Sequence, residues 1–180
     1  KFAETPDEAE KMAKEILAMT VRNFPVERLL IEKKLDISQE LYVSIAYDSS
    51  EMAPVVIASS AGGIDIEEIA KTHPGKIIKY PVHILNELNS YEAKEIWSDL
   101  GLKGRALQKA TMILWRLYQL FIKYDGTIVE INPLAITTGG EVVAAAILMG
   151  VDDDALYRQS YLSDKVEAGS DRAWRPLTAL

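Results

Sequence analysis

A carboxylate and a carboxamide lie two residues apart in the apolar segment Ile-Val-Glu-Ile-Asn-Pro-Leu, at Glu130 and Asn132. Because side chains alternate between the faces of a strand, these two polar groups share one face and their apolar neighbours share the other. The pattern indicates a binding or catalytic site. Pro133 has no N–H to donate, so we expect the strand to end there.

A second apolar segment follows a glycine turn, which predicts a hairpin of residues 127–134 and 141–148. With the turn centred on Gly139, positions 132 and 146 lie opposite each other because they are equally far from the centre. Opposed side chains have Cβ atoms about 5 Å apart, so the two positions could contribute to one site. Position 146 is alanine, which supplies neither charge nor oxygen.

The elements that must position this hairpin follow from periodicity and capping residues. Thr5-Pro6-Asp7-Glu8 predicts the start of an N-terminal helix. Neighbouring apolar segments with short turns favour an antiparallel meander packed with helices, an α+β fold. Strands are predicted at 28–35, 41–47, 55–59 and 76–82. Helices are predicted at 64–71, at 90–101 with Ser90 as the cap, at 105–124 and from Asp153 to Gln159.

Composition limits the class of protein. The 180 residues carry a net charge of −7, which disfavours non-specific binding to nucleic acid or to anionic membranes. Cysteine is absent, so disulfides and thiolate chemistry are excluded. No apolar run approaches the roughly 20 residues of a membrane span, and the first residues are too acidic for a signal peptide. We therefore expect a cytoplasmic protein with no membrane or nucleic-acid partner.

Several segments together resemble the β subunit of succinyl-CoA synthetase, a family with an ATP-grasp nucleotide site. The matching segments run in family order from about Lys1 to Arg158. They are Leu30-Ile31-Glu32, Gln39-Glu40-Leu41-Tyr42, Ser59 to Glu67 around Gly62-Gly63, Glu130 to Leu134, and Asp152 to Arg158. The resemblance implies an ATP-grasp C-terminal-type subdomain. It also implies a partial ATP-grasp domain over residues 1–162 and a divergent tail over 163–180.

The resemblance implies roles for the residues of the hairpin. Glu130 would be the catalytic residue that orients a phosphohistidine supplied by a partner α subunit. Asn132 would be one ligand of Mg²⁺, and the position of the second ligand is Ala146. Without the family match, Glu130 reads as an ordinary solvated glutamate. Asp152 or Asp153 could supply a compensating carboxylate.

Nucleotide contacts are implied further upstream. Glu32 and Leu35 would contact the adenine, and Glu40 would accept hydrogen bonds from the ribose of ATP or GTP. The alternative for Glu32 is a charged strand end, since two lysines follow it. The Gly62-Gly63 pair could cradle an anion, because glycine permits positive φ and close backbone approach, but hairpin turns use the same pair.

Three positions depart from the family pattern. Ala61 stands where the family usually has a glutamate, and Ala146 where it has an aspartate. Leu148 stands where the family pattern has a lysine. The first hypothesis is the nucleotide-binding part of an acid–CoA ligase, which acts with an α subunit carrying the histidine and CoA site on a small carboxylic acid. The alternative is a non-catalytic, ATP-grasp-like module that has lost its magnesium site and binds a nucleotide weakly or only contacts a partner.

Overall fold

The computed structural model describes residues 1–21, 24–63, 66, 71, 73–83 and 85–163. Within it the chain divides into two compact units, Lys1–Asp36 and the remainder from Ile37 onward. The helix expected at 64–71 falls almost entirely outside the described residues, as does the expected tail. No helix among the described residues is long and apolar enough to cross a membrane.

The first unit begins with helix α1, Pro6–Leu17. Thr5 caps it as predicted, since its side chain accepts a hydrogen bond from the Glu8 N–H at 3.3 Å. Two short strands follow and pair antiparallel, β1 at Thr20–Val21 and β2 at Phe24–Pro25.

The strand expected at 28–35 is wrong, because residues 26–36 form neither helix nor strand. Leu30 is 83% exposed and Ile31 is 71% exposed. The segment therefore has neither the neighbouring strand nor the burial that stabilises a strand, and its apolar residues misled the prediction.

The second unit is built on one antiparallel sheet. Its strands are β3 Ile37–Asp48, β4 Ala53–Ser59, β5 Ile77–Pro81, β6 Gly126–Thr137, β7 Val142–Ala144 and β8 Ile147–Val151. Among the described residues the strand order is β5-β4-β3-β6, and β7 and β8 both pair with the other edge of β6. The sheet confirms the predicted antiparallel arrangement.

Two helices cover one face of this sheet, α2 at Ser90–Asp99 and α3 at Gly104–Lys123. The cap of α2 is Asn89, one residue before the predicted Ser90, and it forms a reciprocal capping box with Glu92. Asparagine is as good an N-cap as serine, so local preference alone did not distinguish the two. Shorter elements include 3₁₀ turns at Pro74–Lys76 and Asp153–Arg158, and helix α4 at Ser160–Ser163.

The hydrophobic core lies between these two helices and the sheet. Trp97 of α2 is fully buried and donates from Nε1 to the Ala110 carbonyl of α3 at 3.1 Å, which joins the two helices. Val129 and Ile131 face this core, as the alternation along β6 predicts. The remaining fully buried contributions come mainly from Leu41, Val43, Ile45, Val56, Ala58, Leu88, Leu114 and Phe121. The other face of the sheet therefore carries the candidate site.

Candidate functional site

A β-bulge places Asn132 and Pro133 at the middle of β6. Leu41 of β3 lies opposite Leu134, and Val43 lies opposite Ile131, so the two residues of β6 between them face Tyr42 alone. The strand continues through Pro133 to Thr137, and the expectation that proline ends it is wrong. Bulges are among the few sheet positions where the missing N–H of proline is tolerated. The Asn132–Pro133 peptide bond is cis.

The predicted hairpin register is confirmed. The pairs that β6 makes with β7 and with residues 147–150 of β8 all lie symmetrically about Gly139. Between these two short strands the Asn132 N–H donates to the Ala146 carbonyl at 3.2 Å. Position 146 therefore lies opposite Asn132, and its side chain is a single methyl group.

Glu130 is held by a residue that the sequence reasoning missed. The Tyr42 hydroxyl donates to Glu130 Oε2 at 3.3 Å, and Tyr42 is only 4% exposed. Ser44 lies opposite Glu130 on β3, and the exposed Leu148 lies opposite it on β8. The available signal was the alternation of β3, which puts Glu40, Tyr42 and Ser44 on one face.

The Gly62-Gly63 turn lies directly against β3. A Cβ atom at Gly62 would sit 2.3 Å from the Leu41 carbonyl oxygen, and one at Gly63 would sit 1.8 Å from Glu40 Oε2. Gly63 also has a φ of +73°, a region that favours glycine. Its N–H donates to Asn132 Oδ1 at 2.9 Å. The turn thus brings together Glu40, on β3, and Asn132, on β6.

The residues before the turn are fixed by hydrogen bonds. The buried Ser59 accepts from the Ala61 N–H through its hydroxyl at 3.1 Å, and Gln39 Nε2 donates to the Ser60 carbonyl at 3.2 Å. Ala61, where the resemblance expects a glutamate, brings no carboxylate to this turn. The turn therefore offers backbone groups and no acidic side chain at position 61.

The three residues predicted to contact the nucleotide lie in two units. Glu32 is exposed and Leu35 half-buried, and both belong to the segment of the first unit that has no regular structure. Glu40 is half-buried on β3 of the second unit. Their roles in binding adenine and ribose stay predictions.

The side chains near Asn132 do not fit a protein-held magnesium site. The described residues contain no group of three or more histidine, cysteine, aspartate or glutamate side chains that could hold a metal. Asp152 cannot compensate, because β8 runs away from Ala146 toward Val151, which pairs with Gly126. Six residues of extended chain place the two positions roughly 20 Å apart. Magnesium is usually held by one or two carboxylates together with phosphates, and here the opposed pair supplies one amide oxygen.

An ion pair at the other end of β6 fastens the family segment that follows β8. Arg158 donates to both carboxylate oxygens of Asp125, at 2.7 and 3.0 Å, and Gln159 Nε2 donates to the same carboxylate at 2.7 Å. These bonds, that of Arg158 first, lower the pKa of Asp125 to about 2. The 3₁₀ turn at Asp153–Arg158 is thereby tied to the chain between α3 and β6.

The family model described as an ATP-grasp domain matches residues 1–136, and the chain belongs to that family. The α+β fold and the resemblance to the succinyl-CoA synthetase β subunit are confirmed.

Two relatives of the same name illustrate this membership. The β subunit of an ADP-forming succinate–CoA ligase from Methanothermobacter thermautotrophicus is 42% identical over 154 residues, which are 86% of this chain and 42% of that protein. The protein of the same name from Methanocaldococcus jannaschii is 40% identical over 160 residues, 89% of this chain and 44% of that protein. The chain thus spans less than half the length of these relatives.

A solved structure supports the fold independently. ATP citrate lyase from Methanothrix soehngenii, in complex with citrate and coenzyme A, superposes with a TM-score of 0.69 at 20% sequence identity. The superposition covers 96% of this chain and 39% of that one. At this identity the likeness supports the fold alone.

Proposed function

We propose that this chain forms the nucleotide-binding part of an acid–CoA ligase β subunit of the succinate–CoA ligase type. The observation that carries the proposal is the grouping of Glu40, Gly62-Gly63, Glu130 and Asn132 on one face of the sheet. Each of these residues stands at a position that matches a motif of the family.

The proposed overall reaction consumes a nucleoside triphosphate, a small carboxylic acid and CoA, and yields acyl-CoA, the nucleoside diphosphate and phosphate. A histidine of a partner α subunit would receive the phosphoryl group and pass it to the acid, and the CoA thiol would displace it. In this chain Glu130 would accept a hydrogen bond from an imidazole N–H of that histidine, which selects its tautomer. Tyr42 would hold the Glu130 carboxylate in place.

The nucleotide contacts of the proposal fall on carboxylates and backbone. Glu40 would accept hydrogen bonds from the ribose hydroxyls of ATP or GTP, and Glu32 and Leu35 would contact the base. The side chains around Asn132 do not fit a protein-held metal site. In this proposal magnesium therefore binds only through the phosphates of the nucleotide. A cytoplasmic location for the whole ligase is part of the same proposal.

A second candidate function is a non-catalytic ATP-grasp-like module that binds a nucleotide weakly or contacts a partner subunit. The observation that favours it is the methyl group of Ala146 opposite Asn132, together with the apolar, exposed Leu148 opposite Glu130. At both positions this chain lacks a polar group that the family resemblance implies.

Calorimetric titration of ATP into the chain, with magnesium and with EDTA, tests the nucleotide proposal. The wild type is compared with Glu40→Gln and with the matched control Glu95→Gln, which changes an exposed carboxylate of α2. A hydrogen bond to a charged acceptor contributes about 1.5–3 kcal/mol. We therefore expect Glu40→Gln to weaken ATP binding by roughly tenfold or more, and the control to leave it unchanged. Absence of ATP binding at millimolar concentration would refute the proposal and favour the interaction module.

A further inference from the structure

The side chain of Asn132 accepts a hydrogen bond from the backbone of the glycine turn, a contact that is separate from any role as a metal ligand. Its Oδ1 accepts the N–H of Gly63 at 2.9 Å, across a separation of 69 residues in sequence. The hydrogen bonds of Ser59 and Gln39 fix the residues just before this glycine. Among the described residues, the Asn132 amide is what fastens the distal glycine of the turn to the sheet.

We infer that Asn132 is a positioning residue, which holds the Gly62-Gly63 turn against β3 beside Glu40 whether or not a metal is bound. The inference rests on the proposed function only in taking this turn as part of the nucleotide site. It assigns Asn132 a structural partner in this chain, in addition to the ligand role that the resemblance implies.

The steric fit of the turn explains why the hydrogen bond from Gly63 to Asn132 is useful. The turn approaches β3 so closely that a Cβ at Gly62 would clash with the Leu41 backbone, and Gly63 adopts a positive φ that other residues rarely adopt. Glycine loses more conformational freedom on ordering than any other residue. A hydrogen bond that bridges from β6 offsets part of this entropy and fixes which way the turn faces.

The chemistry of the carboxamide explains why asparagine suits this position. An aspartate would also accept the Gly63 N–H, but it would add a negative charge to a face that already carries Glu40 and Glu130. Like charges there would repel the phosphates of a nucleotide. The amide oxygen provides the acceptor without the charge. It keeps a second lone pair for another donor or an ion.

Amide hydrogen exchange of Gly63, followed by NMR in EDTA, tests the inference without a metal or a nucleotide. Three variants are compared with the wild type: Asn132→Ala removes the acceptor, Asn132→Asp retains one, and Asn86→Ala is a control at an exposed turn. We expect Asn132→Ala to accelerate Gly63 exchange about fivefold, the factor that corresponds to about 1 kcal/mol. Asn132→Asp and the control should exchange at the wild-type rate.

Two results of the exchange experiment would overturn the inference. Unchanged Gly63 exchange in Asn132→Ala would mean that the amide does not hold the turn. Loss of wild-type Gly63 protection when Mg²⁺ alone is added would mean that a metal takes the oxygen from the turn.

ATP titration in the same EDTA buffer tests whether the fastening matters for binding. We expect Asn132→Ala to bind ATP about fivefold more weakly than the Asn86→Ala control, because the loosened turn must be ordered on binding. Faster Gly63 exchange with unchanged ATP affinity would refute the functional half of the inference. A wild type that binds no ATP would refute the proposed nucleotide site, and the exchange result would still decide the role of Asn132.

Discussion

Replacement of Ala146 by aspartate should give this chain magnesium-dependent nucleotide binding. The hairpin register puts position 146 opposite Asn132, so the new carboxylate and the amide oxygen would have Cβ atoms about 5 Å apart. Magnesium binds oxygen ligands at about 2.0–2.1 Å, and both side chains can reach one ion from that separation. Ala146 is exposed, so the added charge is not buried.

The magnitude follows from the contact that the new carboxylate makes in the bound complex. A charge-assisted contact contributes about 1–3 kcal/mol, which corresponds to an increase of about fivefold to 150-fold in ATP affinity with magnesium. Repulsion between the new carboxylate and Glu130 is about 0.5 kcal/mol at the roughly 7–8 Å of a diagonal pair, and it is present with and without ATP, so it does not change the affinity. Without magnesium the sign reverses, because the carboxylate repels the phosphates.

Calorimetry of ATP binding in magnesium and in EDTA measures both the expected gain in affinity and the expected loss. The matched control is Ala144→Asp, since Ala144 is exposed and lies opposite the core residue Leu134 on the helix-covered side of the sheet. The control should show no gain with magnesium. Equal ATP affinity of Ala146→Asp and Ala144→Asp in magnesium would refute the argument that positions 132 and 146 form a paired ligand site.

Three further substitutions test other contacts of the second unit. Tyr42→Phe should lower the free energy of unfolding by about 1 kcal/mol in urea, because it removes the hydroxyl that donates to Glu130; an unchanged value would mean that the bond is not formed in solution. Gly62→Ala should lower it by more than 1 kcal/mol, because the new Cβ meets the rigid Leu41 backbone, whereas a neutral effect would contradict the close approach. Asp125 has a pKa lowered to about 2, so its contribution is present above pH 4 and is lost as the pH falls through 2. The stability difference between wild type and Asp125→Asn should shrink over that range in acid unfolding, and a pH-independent difference would refute the ion pair.

Local patterns predicted the hairpin and the two faces of β6. The glycine turn fixes which residues oppose each other, and alternation fixes which of them are buried, so the position of Ala146 opposite Asn132 followed from the sequence. Helix α3 was predicted in the same way, at 105–124, and is observed at Gly104–Lys123. These features depend on residues that are close in the chain.

The features that the sequence did not predict depend on contacts between distant residues. The bulge that accommodates Pro133 becomes visible only when β3 is paired with β6, and the hydrogen bond from Tyr42 to Glu130 needs the same pairing. The expected strand at 28–35 failed for the converse reason: its apolar residues have no neighbouring strand and are exposed. Pairing across a sheet is decided by the whole fold, and a local pattern cannot supply it.

The most direct test of the account is an NMR titration of ATP into the chain with assignment of the backbone amides. If this face of the sheet binds the nucleotide, the largest chemical-shift changes fall at Glu40, Gly62, Gly63, Glu130 and Asn132. Changes confined to α2 and α3 on the opposite face, or no changes at millimolar ATP, would contradict the claim that this face binds a nucleotide.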